Sequence, residues 1–193
     1  MTGEESRRRR WDERHRAAEP GPPAAVLADN RHLLPARGRA LDLACGLGGS
    51  ALLLAEQGLE AEAWDYAPAA LERVAARARE RGLAVTTRER DVEACPPEPE
   101  SFDVIVVAHF LHRPLAPLLC DALRPGGLLF YQTWSRARAS DAGPSNPNFR
   151  LAEGELLTLF ADLRPLVYRE EGDQGDTRRG LRDVACLVAR KPG

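Results

Sequence analysis

What the chain lacks sets the first limits. Its four cysteines, Cys45, Cys95, Cys120 and Cys186, stand far apart, with no C-x-x-C pair and no histidine at zinc-finger spacing. That pattern points away from a metal cage and a disulfide framework, and toward small apolar fillers. Cys45 is set apart by its place inside a glycine cluster. No apolar stretch, "VIVVA" at Val104–Ala108 included, approaches the roughly 18 residues of a membrane span. The basic amino-terminal stretch runs into "WDERHRAAEPGPP" with no apolar core behind it, so no secretory signal is expected and the reading is cytoplasmic. Positive charge is not in excess either. A formal net charge of -2 argues against nucleic acid or an anionic membrane as partner. The run Arg7–Arg10 is the exception, and with Glu4, Glu5, Asp12 and Glu13 around it the run reads as a solvated tail.

What is present is enough for one globular unit. The chain has 193 residues, 44% hydrophobic and 29% charged, the size and balance of a single domain with a real core. After a polar amino-terminal segment ending in "EPGPP", residues 24–34 have helical apolar spacing up to Pro35. Then strands and helices alternate. Strands are expected at 39–45, 59–65, 83–90, 102–108 and 126–134, with helices at 50–57, 68–81 and 114–123 between them. Such alternation implies a parallel sheet with right-handed crossovers. The tail differs: a Gly/Pro/Ser/Asn-rich loop at 135–148, long enough to act as a lid, a helix near 152–161, and strands at 164–170 and 181–190. Those last two strands are joined without a crossover helix, so they are antiparallel.

The chemistry gathers where the first strand ends. In "LDLACGLGGSALLLAEQG", Gly46, Gly48 and Gly49 follow a strand and open a helix, letting bare backbone N–H groups approach a ligand. The pattern G-x-G-x-x-A also fits a dinucleotide fingerprint, with Asp65 at the appropriate distance. Three carboxylates weigh against that. Asp42, just before the loop, suits an ammonium and repels a pyrophosphate; Asp65, closing the second strand, suits a ribose diol; Asp91, at the end of the third, suits an adenine amino group. Ammonium, ribose and adenine in chain order describe S-adenosyl-L-methionine better than NAD.

With those residues, "ALDLACGLGGSALLLAEQG", "AEAWDYAPAAL", "ERDVEA", "FDVIVVAHFLHRPL" and "LRPGGLLFYQTW" resemble the successive motifs of the class I S-adenosylmethionine-dependent methyltransferases. "AWD", "LHRPL", "NPNFRLAEGELLTLF" and the closing "VARK" are most similar to the tellurite-resistance-type branch. The resemblance implies a single Rossmann-like, three-layer α/β/α domain over 21–193. Its seven-stranded, mostly parallel sheet has an antiparallel last strand, and residues 1–20 reach over the cofactor. It implies that the backbone of Ala44, Cys45, Gly46 and Gly48 meets the methionine moiety, with Asp42 nearby and the Ala108 carbonyl receiving the ammonium. The ribose falls to Asp65, the adenine to Tyr66, Asp91 and the N–H of Val92. Trp11 and Arg14 would close over the cofactor, Arg14 on its carboxylate.

His109 and His112, with Arg113, follow the fourth strand at the edge where open α/β sheets place reacting groups. Either histidine suits a general base, yet a thiolate or chalcogenide acceptor attacks a sulfonium methyl without one. The expected activity is methyl transfer to a small-molecule acceptor, with monomer and homodimer both open and no metal. Two other classes stay in view: a NAD- or FAD-dependent oxidoreductase sharing the glycine loop, and a non-catalytic cofactor-binding module.

Overall fold

Apolar runs bounded by glycine and proline become the strands of one sheet. The structure is a computed structural model that describes residues 3–193, with side chains described at residue 9 and from residue 11 onward. The side chains of the Arg7–Arg10 run, Arg9 excepted, therefore lie outside the described residues. Along the chain come α1 (Gly3–Ala17), α2 (Ala25–Ala28), β1 (Arg39–Leu43), α3 (Gly49–Glu56), β2 (Glu60–Asp65), α4 (Pro68–Glu80) and β3 (Val85–Glu89). They are followed by β4 (Phe102–Ala108), α5 (Ala116–Ala122), β5 (Leu123–Trp134), α6 (Glu155–Leu159), β6 (Arg164–Arg169) and β7 (Val184–Arg190).

The seven strands lie in the order β3-β2-β1-β4-β5-β7-β6. Pairing is parallel from β3 to β5, and β7 runs antiparallel between β5 and β6. Strands covered on both faces read as continuous apolar runs, and Val104–Val107 are completely buried. Alternate residues point to opposite faces. Leu41, Leu43, Ile105, Val107, Leu129 and Leu187 pack toward α5 and α6. Ala40, Val104, Val106, Phe130 and Val188 pack on the other face with Val26 and Leu27 of α2 and Leu53 and Leu54 of α3. This is the three-layer α/β/α arrangement. Chain direction reverses its march through the sheet between β1 and β4, opening a crevice at their carboxyl ends. Among the described residues no helix is long and apolar enough to cross a membrane.

Several boundaries differ from the sequence reading, each for a local reason. The helix expected over 24–34 ends after Ala28 and resumes only as a 3-10 turn at Arg31–Leu33. There the Asn30 side-chain amide donates to the Val26 carbonyl at 2.9 Å, diverting it from helical pairing. β5 starts at Leu123, through an irregularity between Phe102 and Val104 in its partner that absorbs the Pro-Gly-Gly sequence. β3 stops at Glu89, so Asp91 lies beyond the strand. In the tail, α6 covers only Glu155–Leu159 and β7 starts at Val184. Cys120 and Cys186 are buried fillers, whereas Cys95 is exposed and Cys45 half-buried.

Gly48 shows how tightly this frame is packed. It sits at φ 69° as the residue capping α3, and a Cβ there would lie 2.5 Å from Cγ2 of Val74 in α4. Gly48→Ala is therefore expected to destabilise the fold by about 2–3 kcal/mol in urea unfolding, combining backbone strain with a steric clash. Adding Val74→Ala should relieve part of that cost. Simple additivity of the two substitutions would rule out the close approach as its source.

Candidate active site

The connection from β1 to α3 is a sequence of left-handed turns. Ala44, Gly46 and Gly48 take φ of 54°, 51° and 69°, a conformation that glycine adopts freely and alanine only at a cost. Neighbouring elements pin the loop. The Cys45 N–H donates to the Trp64 carbonyl at 3.0 Å and the Gly48 N–H to the Cys45 carbonyl at 2.9 Å. The Gly46 N–H donates to Oδ2 of Asp65 at 2.8 Å, while Oδ1 of Asp65 accepts from the Ala67 N–H at 2.9 Å. Arg77 of α4 donates to the Leu47 carbonyl at 2.8 Å. Asp65, buried at the end of β2, thus ties the loop to the start of α4.

Asp42 has a different posture from that of an open strand-end carboxylate. It lies inside β1, nearly fully buried, and its Oδ2 accepts from the Ala51 N–H in the first turn of α3 at 2.9 Å. Burial raises its pKa to about 8, against the lowering effect of the Ala51 N–H and with a smaller push from the Asp65 charge. Cys45, between the two carboxylates, is held well above its ordinary thiol value by desolvation first and then by Asp42 and Asp65. It is a neutral thiol and not a nucleophile.

The neighbouring strand ends bring the remaining candidates to the same edge. Tyr66 is half-buried after β2, and Asp91 is half-buried past β3, its Oδ1 accepting from the Glu93 N–H at 3.0 Å. Val92 is buried against the core that holds Trp64, and Ala108 closes β4. Trp11, 40% exposed, stacks on His15 with ring centroids 5.6 Å apart, and the Arg14 guanidinium lies 5.0 Å from the Trp11 centroid. It is His15 that reaches the loop, its Cε1 lying 3.3 Å from where a Gly46 Cβ would be. The sequence reading passed over His15 although it belongs to the same "WDERHR". Desolvation lowers its pKa, the Arg14 and Arg73 charges add to that, and Asp65 and Asp12 oppose it.

Beyond β4 the cleft has a second wall. His109 takes φ 55°, donates its N–H to the Gln132 carbonyl at 2.8 Å, and tilts its ring against Trp134 with centroids 4.8 Å apart. The residue is exposed overall, and desolvation on its packed side pulls its pKa below the ordinary histidine value. His112 Nδ1 lies 3.8 Å from the Glu93 carboxylate, each about one-third exposed, a contact that gains charge attraction only when the ring is protonated. Arg113 is committed to structure: it pairs with Glu155 and donates to the carbonyls of Asn148 and Arg150. The 135–148 segment is tied down at both ends. Buried Arg150 donates to the carbonyls of Ser135, Ala142 and Pro144, and Asp183 accepts from the N–H groups of Ala139 and Ser140. Gly143 packs so closely on Trp134 that a Cβ would meet its ring at 2.5 Å. Trp134, a wall of the cleft, was legible only as the last residue of a strand.

Comparison with known proteins adds an independent line. Residues 40–127 match the family model described as "Methyltransferase domain". Over 120 residues the chain is 35% identical to a "Ubiquinone biosynthesis O-methyltransferase" of Methylobacterium nodulans, covering 59% of this chain and 48% of the relative. The chain thus spans about half the length of the curated relatives it matches. Two solved structures share its fold. One is described as "Conversion of a Disulfide Bond into a Thioacetal Group during Echinomycin Biosynthesis", with TM-score 0.72, 22% identity, and coverage of 96% of this chain and 92% of that one. The other is TehB from Haemophilus influenzae, with TM-score 0.68, 21% identity, and coverage of 86% and 61%.

The raised pKa of Asp42 has a consequence for stability. Lifted from 3.8 to about 8, the carboxyl stays protonated in the fold over a range where the unfolded chain has ionised it. Its stabilising contribution is full below about pH 4, declines as pH rises toward 8, and levels off above. Asp42→Asn keeps an oxygen for the Ala51 N–H and removes the titration. Relative to that variant, the wild type should lose up to roughly 1.4 kcal/mol per pH unit across this window in urea unfolding. Parallel stability curves for the two proteins would show that Asp42 ionises normally.

Proposed function

We propose that this chain is a class I S-adenosylmethionine-dependent methyltransferase that moves a methyl group from S-adenosylmethionine to a small-molecule acceptor, a reading its fold and matched domain support. The observation that carries the reading is the carboxylate set at the edge of the sheet: Asp65 on the Gly46 N–H at 2.8 Å, Asp42 behind the same loop, and Asp91 past β3. A pyrophosphate laid on this loop would meet the Asp65 carboxylate, whereas a ligand with a cationic sulfur, an ammonium and a ribose diol would be complemented by it; Asp42, its pKa raised to about 8, adds no full charge near pH 7. The donor set therefore fits S-adenosylmethionine. When bound, that cofactor supplies a methyl group on a positively charged sulfur, already activated for in-line displacement.

The chain's own residues have positioning roles in this reading. The backbone of Ala44, Cys45, Gly46 and Gly48 cradles the methionine portion, with the Ala108 carbonyl as acceptor for the ammonium. Asp65 takes the ribose hydroxyls while holding the loop, and Tyr66, Asp91 and the Val92 N–H border the adenine. Trp11 and Arg14, stacked on each other, shield the opening from above. The acceptor enters alongside His109 and Trp134, whose contact forms a firm wall. Desolvation lowers the pKa of His109, which favours the neutral ring that takes a proton from a hydroxyl acceptor; a thiolate needs no such help. An oxygen or sulfur acceptor is consistent with the O-methylation named for one relative and the disulfide-to-thioacetal conversion named for one fold neighbour.

Calorimetric titration separates this reading from the oxidoreductase alternative. The protein should bind S-adenosylhomocysteine and not NADH, and the reverse result would refute the methyl-donor assignment. Asp65→Ala is expected to weaken S-adenosylhomocysteine binding by about 1–3 kcal/mol through lost hydrogen bonds, whereas unchanged affinity would remove Asp65 from the ribose. Labelled methyl donor incubated with thiols, selenols, tellurite and phenols should give a methylated product. Tight cofactor binding with no turnover on any of them would favour a non-catalytic binding module.

A further inference from the structure

α1 and α4 complete each other's ends. The capping position of α4 is Ala67, which has no side-chain acceptor, and Pro68 after it has no N–H. The next amide, that of Ala69, donates to Oδ1 of Asp12 in α1 at 2.8 Å. In return, Nη1 of Arg73 in α4 donates to the carbonyls of His15 and Ala18 at the carboxyl end of α1, both at 2.6 Å. Arg16 steadies Asp12 from within α1 at 2.7 Å. This docking is polar. Trp11, Glu13, Arg14 and Arg16 are exposed, so α1 owes its place to exchanged end groups more than to apolar burial. The result sets one side chain on the glycine loop, the His15 ring against Gly46, where it feels the Asp65 charge.

We propose that His15 contacts the bound cofactor and that Asp12 and Arg73 are the positioning pair that hold it there, so that cofactor leaves only when α1 disengages from α4. This rests on the methyl-donor reading above. Three geometric facts carry it: reciprocal capping places α1, α1 lies over the loop, and His15 is the α1 side chain, among those described, that lies against Gly46. A helix held by hydrogen bonds that water can replace opens without disturbing the core. The chain thus has a roof over the loop that releases separately from the sheet.

Surface plasmon resonance with S-adenosylhomocysteine over the immobilised full chain tests this. His15→Ala, Asp12→Ala and Arg73→Met should each raise the dissociation rate constant by about tenfold, the loss of one contact that holds the cofactor or the helix over it. Asp12→Asn keeps an oxygen for the Ala69 N–H and should restore a rate within about threefold of wild type, a rescue that general loosening of the fold would not give. Combining Asp12→Ala with Arg73→Met should add little beyond either alone, because both act through α1. Dissociation within about twofold of wild type for Asp12→Ala and Arg73→Met, with binding intact, overturns the positioning role. Equal loss in Asp12→Ala and Asp12→Asn overturns the hydrogen-bond account. If the wild type binds no S-adenosylhomocysteine, the methyl-donor reading fails first and this inference with it.

Discussion

Asp65 joins parts of the molecule that the sheet alone would leave independent. A parallel sheet fixes its strands, but it does not dictate the path of the chain after a strand ends. At β1 that path is a run of left-handed turns, which needs outside partners to persist. One carboxylate supplies two of them: Oδ2 holds the Gly46 N–H and Oδ1 holds the Ala67 N–H at the threshold of α4. With α4 placed, three further contacts follow from it. Val74 fills the space beside Gly48, Arg77 takes the Leu47 carbonyl, and Arg73 takes the end of α1. The loop is therefore shaped from α4 as much as from β1.

The same dependence explains why the glycines serve packing and binding together. Gly48 is needed because Val74 leaves no room for a Cβ, and Gly49 because a Cβ would meet the Pro22 carbonyl at 2.7 Å. Gly46 faces the His15 ring across a gap that a Cβ would close to 3.3 Å. Only the last of the three glycine requirements concerns the open side of the loop. A glycine fingerprint thus reports crowding behind the loop at least as strongly as a ligand in front of it.

The positions of the first five strands were legible, most plainly where a strand covered on both faces cannot hide its apolar run, as at Val104–Val107. The antiparallel tail was legible from the lack of a crossover. What was hidden depends on rotation and on distant partners. Asp42 is visible as a carboxylate on β1, but its side chain turns to α3 because it shares a sheet face with Ala40, which packs with that helix. Trp11 and Arg14 stand out by residue type, while the helical turn of α1 delivers His15 to the loop instead. Asn30 falls inside the helix expected over 24–34, and its amide captures the Val26 carbonyl. Trp134 acquires meaning only from His109 on one side and Gly143 on the other. The Asn30–Val26 pair apart, these partners lie nine or more residues away in sequence, so no local pattern announces them.

The two flanks of the cleft are built on opposite principles. On the β5 side, Arg150 is buried, and its charge is balanced by three backbone carbonyls and by the nearby Asp183. A buried guanidinium stripped of those acceptors would be costly, so the 135–150 segment keeps one shape. Arg113, with Glu155 and the carbonyls of Asn148 and Arg150, adds a second such anchor beside it. On the α1 side, the contacts are hydrogen bonds between helix ends within reach of water. Rigidity is thus placed where an acceptor's shape would be judged, and weak reversible contact where a cofactor would pass.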